Sequence, residues 1–151
     1  MIALACDHGG FTLKQDIIKH LEAAGLEFKD FGTHSEDSSD YPDFTVLASK
    51  AIVGGECERG IFVCGTGIGV SIAANKVPGI RAAVCTNTYM AEKTRAHNDA
   101  NVLALGARVV DTPLALDIVK TFLNTEFSGD ERHARRVDML KYLDSQLFGQ
   151  S

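Results

Sequence analysis

Two rhythms of apolar and polar positions alternate along the chain. Short strand-like runs recur at Ile2–Ala5, Leu26–Phe31, Gly60–Cys64, Arg81–Cys85 and Val102–Leu105. Between them the apolar positions take helical spacing. Leu13, Ile17, Leu21 and Ala24 stack on one face, and Gly25 supplies a stop. Phe44, Leu47, Ala48, Ala51 and Ile52 mark a second helix, ended by Gly54-Gly55. Further helices are predicted over Gly69–Lys76 and Thr88–His97, then through Leu114, Ala115, Ile118, Val119 and Phe122. A long closing helix runs from about Arg132 to Leu147. The polar stretch 33-THSEDSSDYPD-43 reads as a loop. No repeat and no low-complexity segment interrupts the order.

Strands alternating with helices imply βαβ units, and right-handed crossovers join such units into a parallel sheet covered on both faces. The expected architecture is therefore α/β, in three α/β/α layers. In such folds ligands bind beyond the carboxyl ends of the strands. Asp7-His8 follows the first strand, Cys64 and its glycines end the third, and Arg108 follows the fifth. His97-Asn98, on the path into the fifth strand, is expected at the same edge.

Length and composition narrow the class. A chain of 151 residues with 45% hydrophobic and 23% charged residues suits one domain with a real core. Its net charge of −5 argues against nucleic acid or an anionic membrane as the main partner. No apolar run approaches the roughly 18 residues of a membrane span. The start MIALACDHGG lacks a basic region followed by a long apolar one, so a cytoplasmic location without a signal peptide is expected. Cys6, Cys57, Cys64 and Cys85 show neither C-x-x-C nor a zinc spacing, and disulfides are not expected.

The stretch 64-CGTGIGVSIAANK-76 carries the sharpest chemistry. Gly65, Gly67 and Gly69 let successive N–H groups point into one concavity ahead of a helix, where an anion or a developing oxyanion can sit. A dinucleotide loop would need its third glycine where Val70 stands, and a cysteine-phosphatase loop would need arginine at that same position. A Walker loop would need G-K-[ST]. What remains is an anion nest with a thiol at its lip, or a tight turn that merely requires glycine. Taken alone, Cys64 is more often a buried strand-end residue than a nucleophile or base. His97 at a helix end can simply complement the dipole, and Asp7-His8 can be an ordinary turn. Near the end, Arg132 and Arg136 share a helix face at i, i+4 and can converge on one phosphate, although such a run is usually a solvated face. Beyond them Val137, Leu140, Leu143 and Leu147 form an apolar stripe suited to another subunit.

Taken together, CDHGGF at 6–11, SSDYPDF at 38–44, the CGTGIGVSIAANK run, RAHNDANVLALGARVV at 95–110 and RHARRV at 132–137 resemble the ribose/galactose isomerase family, in particular its type B ribose-5-phosphate isomerases. The resemblance spans nearly the whole chain. It implies one sugar-phosphate isomerase domain over 1–151, with a five-stranded parallel Rossmann-like sheet and a C-terminal helix extending toward a partner subunit. It also implies interconversion of ribose 5-phosphate and ribulose 5-phosphate through an enediolate, with neither metal nor organic cofactor. On the matching positions Cys64 would be the base and Thr66 would assist proton movement between the oxygens. His97 would open the sugar ring. Gly65, Gly67, Ile68 and Gly69 would cradle the enediolate, and Asp7, Tyr41 and Asn98 would bind sugar hydroxyls. His8, Arg108, Arg132 and Arg136 would hold the phosphate. One branch of the family uses an acidic residue in the loop instead of cysteine; that position is Val70 here, which places the chain with the cysteine branch. The resemblance further implies a homodimer, or a tetramer, with sites shared between subunits. The competing readings are isomerases of allose 6-phosphate, galactose 6-phosphate or a tetrose phosphate, and a non-catalytic sugar-phosphate sensor.

Overall fold

The computed structural model describes residues 1–148; residues 149–151 lie outside the described part. Five strands, β1 (Ile2–Cys6), β2 (Phe28–Asp30), β3 (Arg59–Cys64), β4 (Ala82–Val84) and β5 (Val102–Gly106), pair in the order β2-β1-β3-β5-β4. Every pairing is parallel. Helices α1 (Phe11–Ala23), α2 (Tyr41–Val53), α3 (Ile68–Ala74), α4 (Thr88–Ala96), α5 (Thr112–Asn124) and α6 (Glu131–Phe148) supply the connections and the chain end. The expected five-stranded α/β sheet is thus observed. None of the described helices is long and apolar enough to cross a membrane.

Side-chain alternation along the strands builds two different cores. On one face Leu4, Cys6, Ile61, Val63, Leu103 and Leu105 meet Leu13, Ile17 and Leu21 of α1 and Ile118, Val119 and Phe122 of α5. On the other Ala3, Ala5, Ala104, Phe62 and Cys64 meet Ala48 and Ile52 of α2 and Val70 and Ala74 of α3. Alanines on that second face leave room for Phe62, which has no exposed surface. Cys64 therefore reaches the sheet edge on the α2/α3 side.

Helix starts are set locally. Asn87 and Asp111 each accept an N–H at the first turn of α4 and α5, at 2.8 and 2.9 Å. Pro42 and Pro113 occupy first-turn positions of α2 and α5, where a missing N–H costs nothing. Two expected core positions lie elsewhere. Leu47 is exposed, because the buried stripe of α2 runs through Thr45, Ala48, Ser49 and Ile52. Ala24 caps α1 beyond its packed face and is exposed as well.

Leu103, fully buried on the central strand β5, anchors the larger core. Leu103→Ala is expected to lower unfolding stability by about 2–5 kcal/mol, with the m-value unchanged, in a urea titration.

Candidate functional site

At the carboxyl edge of the sheet, β3 ends in Cys64 and the chain turns through Gly65, Thr66 and Gly67 into α3. Gly67 adopts φ +80°, a left-handed conformation that favours glycine. A Cβ there would stand 2.9 Å from the Leu105 carbonyl carbon. The fit is tighter at Gly106, where a Cβ would meet the Thr66 carbonyl carbon and oxygen at 2.5 Å. The loop is thus pressed against the end of β5, and Ala107 and Arg108 donate backbone N–H groups to the Cys64 and Gly65 carbonyls, both at 2.9 Å.

Within the loop two side chains take backbone protons. Gly67 N–H donates to Cys64 Sγ at 3.2 Å, and Ile68 N–H donates to Thr66 Oγ1 at 3.2 Å. Cys64 is buried up to its lip while Thr66 and Ile68 are exposed. Burial pushes the thiols of Cys6 and Cys85 up to about 11 and raises that of Cys57, so all three stay protonated near neutrality. All four are free.

Other expected residues gather at this edge. Asp7, itself buried, caps the short turn His8–Gly10 by accepting the Gly10 N–H at 3.2 Å. Gly9 brings that turn close to the loop: its Cβ would lie 3.3 Å from both Asp7 Oδ1 and the Gly65 nitrogen. Arg108 lies along Gly65, with Nη1 3.0 Å from where a Cβ on that glycine would be. The Tyr41 ring covers Gly69 in the same way, at 2.8 Å. His8 is held from outside: Ser39 N–H donates to Nδ1, and His8 N–H donates to Ser39 Oγ, each at 3.2 Å. When that imidazole is neutral, its ring proton therefore sits on Nε2, free to face a ligand. Sequence inspection offered no sign of Ser39's part, because nothing in its spacing links it to His8.

His97 and Asn98 do not join this group. The expectation that they share the edge with Cys64 is overturned by the direction of α4, which runs back across the sheet and ends at the amino edge. There Asn101 exchanges backbone hydrogen bonds with Gly60 and Arg81, the starts of β3 and β4. Strand β5 then separates the two ends, since Val102 pairs with Gly60 and Gly106 pairs with Cys64. Four residue steps of strand are roughly 13 Å.

A second cluster forms at that amino edge. The His97 ring stacks on His133 of α6, with centroids 4.0 Å apart and planes 11° from parallel. His133 is buried, and its Nε2 has no hydrogen-bond partner among the described residues. Arg132 and Arg136 flank it, exposed. The turn carrying His97 and Asn98 is braced by Arg95, whose guanidinium donates to Ala100 O at 2.6 Å, Asp99 Oδ1 at 3.0 Å and Thr125 O at 3.1 Å. Arg81 donates to the Asp99 carbonyl from the other side at 2.8 Å. Asp99 takes φ +47° at the centre of this clasp. The apolar stripe expected on α6 divides: Val137 is buried, Leu140 and Leu143 line a groove with Ile80, Ala82 and Ala83, and Leu147 is exposed. Met139 and Tyr142 project beside Ala134 and Arg135 on an open face. No cluster of metal-ligating side chains occurs among the described residues.

Comparison with known proteins places these clusters in context. The model of the Ribose/Galactose Isomerase family matches residues 2–140. Ribose-5-phosphate isomerase B of Escherichia coli is 47% identical over 145 residues, covering 96% of this chain and 97% of that protein. D-erythrulose-4-phosphate isomerase of Pectobacterium atrosepticum is 41% identical over 146 residues, covering 96% and 95%. The structure of Clostridium thermocellum ribose-5-phosphate isomerase B superposes with a TM-score of 0.94 at 57% identity, covering 97% of this chain and 98% of that one.

Desolvation, with smaller contributions from His97 and Arg132, depresses the His133 imidazole below its ordinary 6.5. The folded protein therefore binds that proton less readily than the unfolded chain, and stability is lost as pH falls below about 6.5. His133→Asn is expected to flatten the fall in Tm between pH 7.5 and 5.5, measured by calorimetry. An unchanged slope would mean that His133 does not contribute to it.

Proposed function

The chain belongs to the ribose/galactose isomerase family and is an aldose–ketose isomerase, and we propose that it interconverts ribose 5-phosphate and ribulose 5-phosphate with Cys64 as the base. The observation that carries this reading is the convergence of Cys64, Asp7, Tyr41 and Arg108 on the Gly65–Gly69 loop. An aldose–ketose shift needs a base beside carbon, donors around a developing oxyanion and a handle remote from the reacting atoms. Each of these has a candidate at this edge.

In the open-chain aldose, the Cys64 sulfur takes the proton from C2, and the electron pair moves through C1 onto O1. The resulting enediolate lies against the N–H groups of the loop. The Thr66 hydroxyl relays the proton from O2 to O1, and Cys64 returns its proton to C1, leaving the ketone at C2. Asp7 and Tyr41 orient sugar hydroxyls. Arg108 and His8 face the phosphate, whose binding supplies energy to hold the reacting carbon in place. The reaction as written needs no metal and no organic cofactor.

Ring opening assigned to His97 requires a second copy of the chain, because His97 and Cys64 stand at opposite edges of one protomer. In this reading residues 1–151 form one isomerase domain that works as a homodimer, or as a tetramer made of two such dimers. The His97, Asn98, Arg132 and Arg136 end of one protomer completes the Cys64 end of its partner. Exposed apolar side chains near both ends support the pairing: Ile68 and Ile72 on α3, and Met139, Tyr142 and Leu147 on α6. Two arginines from α6 would then meet the phosphate from the side opposite Arg108.

Substrate length is the second question, raised by the tetrose-phosphate relative at 41% identity. Turnover of ribose 5-phosphate, allose 6-phosphate, galactose 6-phosphate and erythrulose 4-phosphate in EDTA ranks them directly. Ribose 5-phosphate is expected first, with activity retained in chelator.

Cys64→Ala is expected to lower kcat at least about 100-fold, the scale of losing a general base. Turnover within tenfold of wild type would remove Cys64 from that role. Mixing and reassembling Cys64→Ala with His97→Ala subunits should regenerate about a quarter of wild-type activity, since half the dimers then carry one intact site. A site contained in one protomer would regain none. Arg132→Ala and Arg136→Ala should each raise KM about tenfold with a smaller effect on kcat; an unchanged KM would mark them as solvated surface.

A further inference from the structure

Lys14 is a charged side chain with no exposed surface, and the proposed reaction leaves it unused. It lies on α1 between the apolar positions Leu13 and Ile17, pointing inward with them. Its ammonium meets Asp30 Oδ1 at 2.6 Å and also donates to the Thr33 carbonyl, with the Phe11 ring 5.8 Å away. Asp30 in turn accepts the Gly32 N–H at 2.9 Å. Gly32 and Thr33 are stitched to the end of β1 as well: Cys6 N–H donates to Gly32 O, and Thr33 N–H donates to Cys6 O, both at 2.8 Å.

This places one buried charge beneath two segments that the site needs. One is Cys6-Asp7-His8, leaving β1. The other is the connection from Thr33 to Tyr41, which carries Ser39 to His8 and delivers Tyr41 over Gly69. The connection has few other anchors; Thr12 Oγ1 donates to Glu36 Oε1 at 3.2 Å, and both groups are exposed. A lysine is rarely kept wholly out of water, and here its partners are a carboxylate and a backbone carbonyl at the root of the connection.

We propose that Lys14 is a positioning residue for substrate binding: its buried ammonium fixes the root of the 33–40 connection, and through Ser39 sets the orientation of His8 at the phosphate end of the site. The effect on catalysis rests on the isomerase reading above, while the effect on the loop does not. The groups around the ammonium are Asp30, the Thr33 carbonyl, the Cys6 thiol and the Phe11 ring, so it acts by hydrogen bonding within this clasp rather than through the substrate.

The test is a cycle of Lys14→Met, His8→Ala and the combined variant, assayed with ribose 5-phosphate, together with amide exchange of the folded protein. Lys14→Met is expected to raise KM about tenfold with kcat within about threefold, and to add less than twofold in the His8→Ala background. Exchange at Ser39 and its neighbours should quicken at least about tenfold while the amides of α5 keep their protection. Independent, multiplying effects on KM, or unchanged exchange at Ser39, would overturn the proposal. If wild-type protein does not turn over ribose 5-phosphate, the substrate reading fails, and the exchange experiment still decides the role of Lys14. Should Lys14→Met not fold, Lys14→Gln combined with Asp30→Asn removes both charges and keeps a neutral donor and acceptor. Failure of that variant to fold as well would assign the lysine to stability alone and end the proposal.

Discussion

The closeness of the Gly65–Gly69 loop to the end of β5 governs the arrangement of the site. With no Cβ at Gly106, the Thr66 peptide comes within van der Waals contact of the strand, and the Cys64 and Gly65 carbonyls are tied to Ala107 and Arg108. With the loop folded this tightly, Gly67 N–H reaches the Cys64 sulfur. It also draws Arg108 across Gly65 and leaves Gly69 bare beneath the Tyr41 ring. A methyl group on any of these glycines would force a neighbour aside. The small alanine-rich face of the sheet belongs to the same constraint, since α2 and α3 must sit close enough for Tyr41 and the loop to meet.

A parallel sheet gives a chain two unlike edges, and the candidate residues divide between them. Strand ends and the loops that follow them form the Cys64 edge; helix ends and the turns that precede strands form the His97 edge. Each edge has its own clasp. Lys14 and Asp30 brace the first, while Arg81, Arg95 and Asp99 brace the second. The chain is anionic, at −5, yet Arg108 stands exposed at one edge, and Arg132 and Arg136 stand exposed at the other. In the proposed dimer, a two-fold pair of copies would bring these unlike edges together around one ligand without any rearrangement within either.

Much of this was legible in the residues. Alternating periodicities announced five parallel strands, and the rule that ligands gather beyond strand ends located Asp7, Cys64 and Arg108. The same rule misled at His97, because the residue precedes a strand rather than following one, and α4 carries it to the far edge. Leu47 was misread because a helix pattern built from large apolar residues overlooks a face buried through Thr45, Ala48 and Ser49. His133 was hidden inside an arginine run that reads as a solvated face, and only packing against His97 shows it buried. Long-range pairs such as His8 with Ser39 leave no periodic trace at all.

Lys14 did leave a trace. A lysine next to Leu13 and three residues before Ile17 lies where a helix facing a sheet should be apolar, and its stem alone could have filled that place. What periodicity could not supply was the partner, for Asp30 and Thr33 arrive from the end of β2 and the connection after it. Taking an ammonium fully from water is costly, and a well-packed apolar residue of similar volume often does as well or better for stability alone. A polar clasp at this point gains something that methylenes cannot provide, namely direction: the carbonyl of Thr33 and the carboxylate of Asp30 must each lie where the ammonium can reach them. Direction at the root of a connection is transmitted to its tip only if the tip is also held. Ser39 and His8 hold it, through a reciprocal pair of hydrogen bonds. The buried charge is thus better explained by the geometry of the site it underlies than by the stability of the core it interrupts.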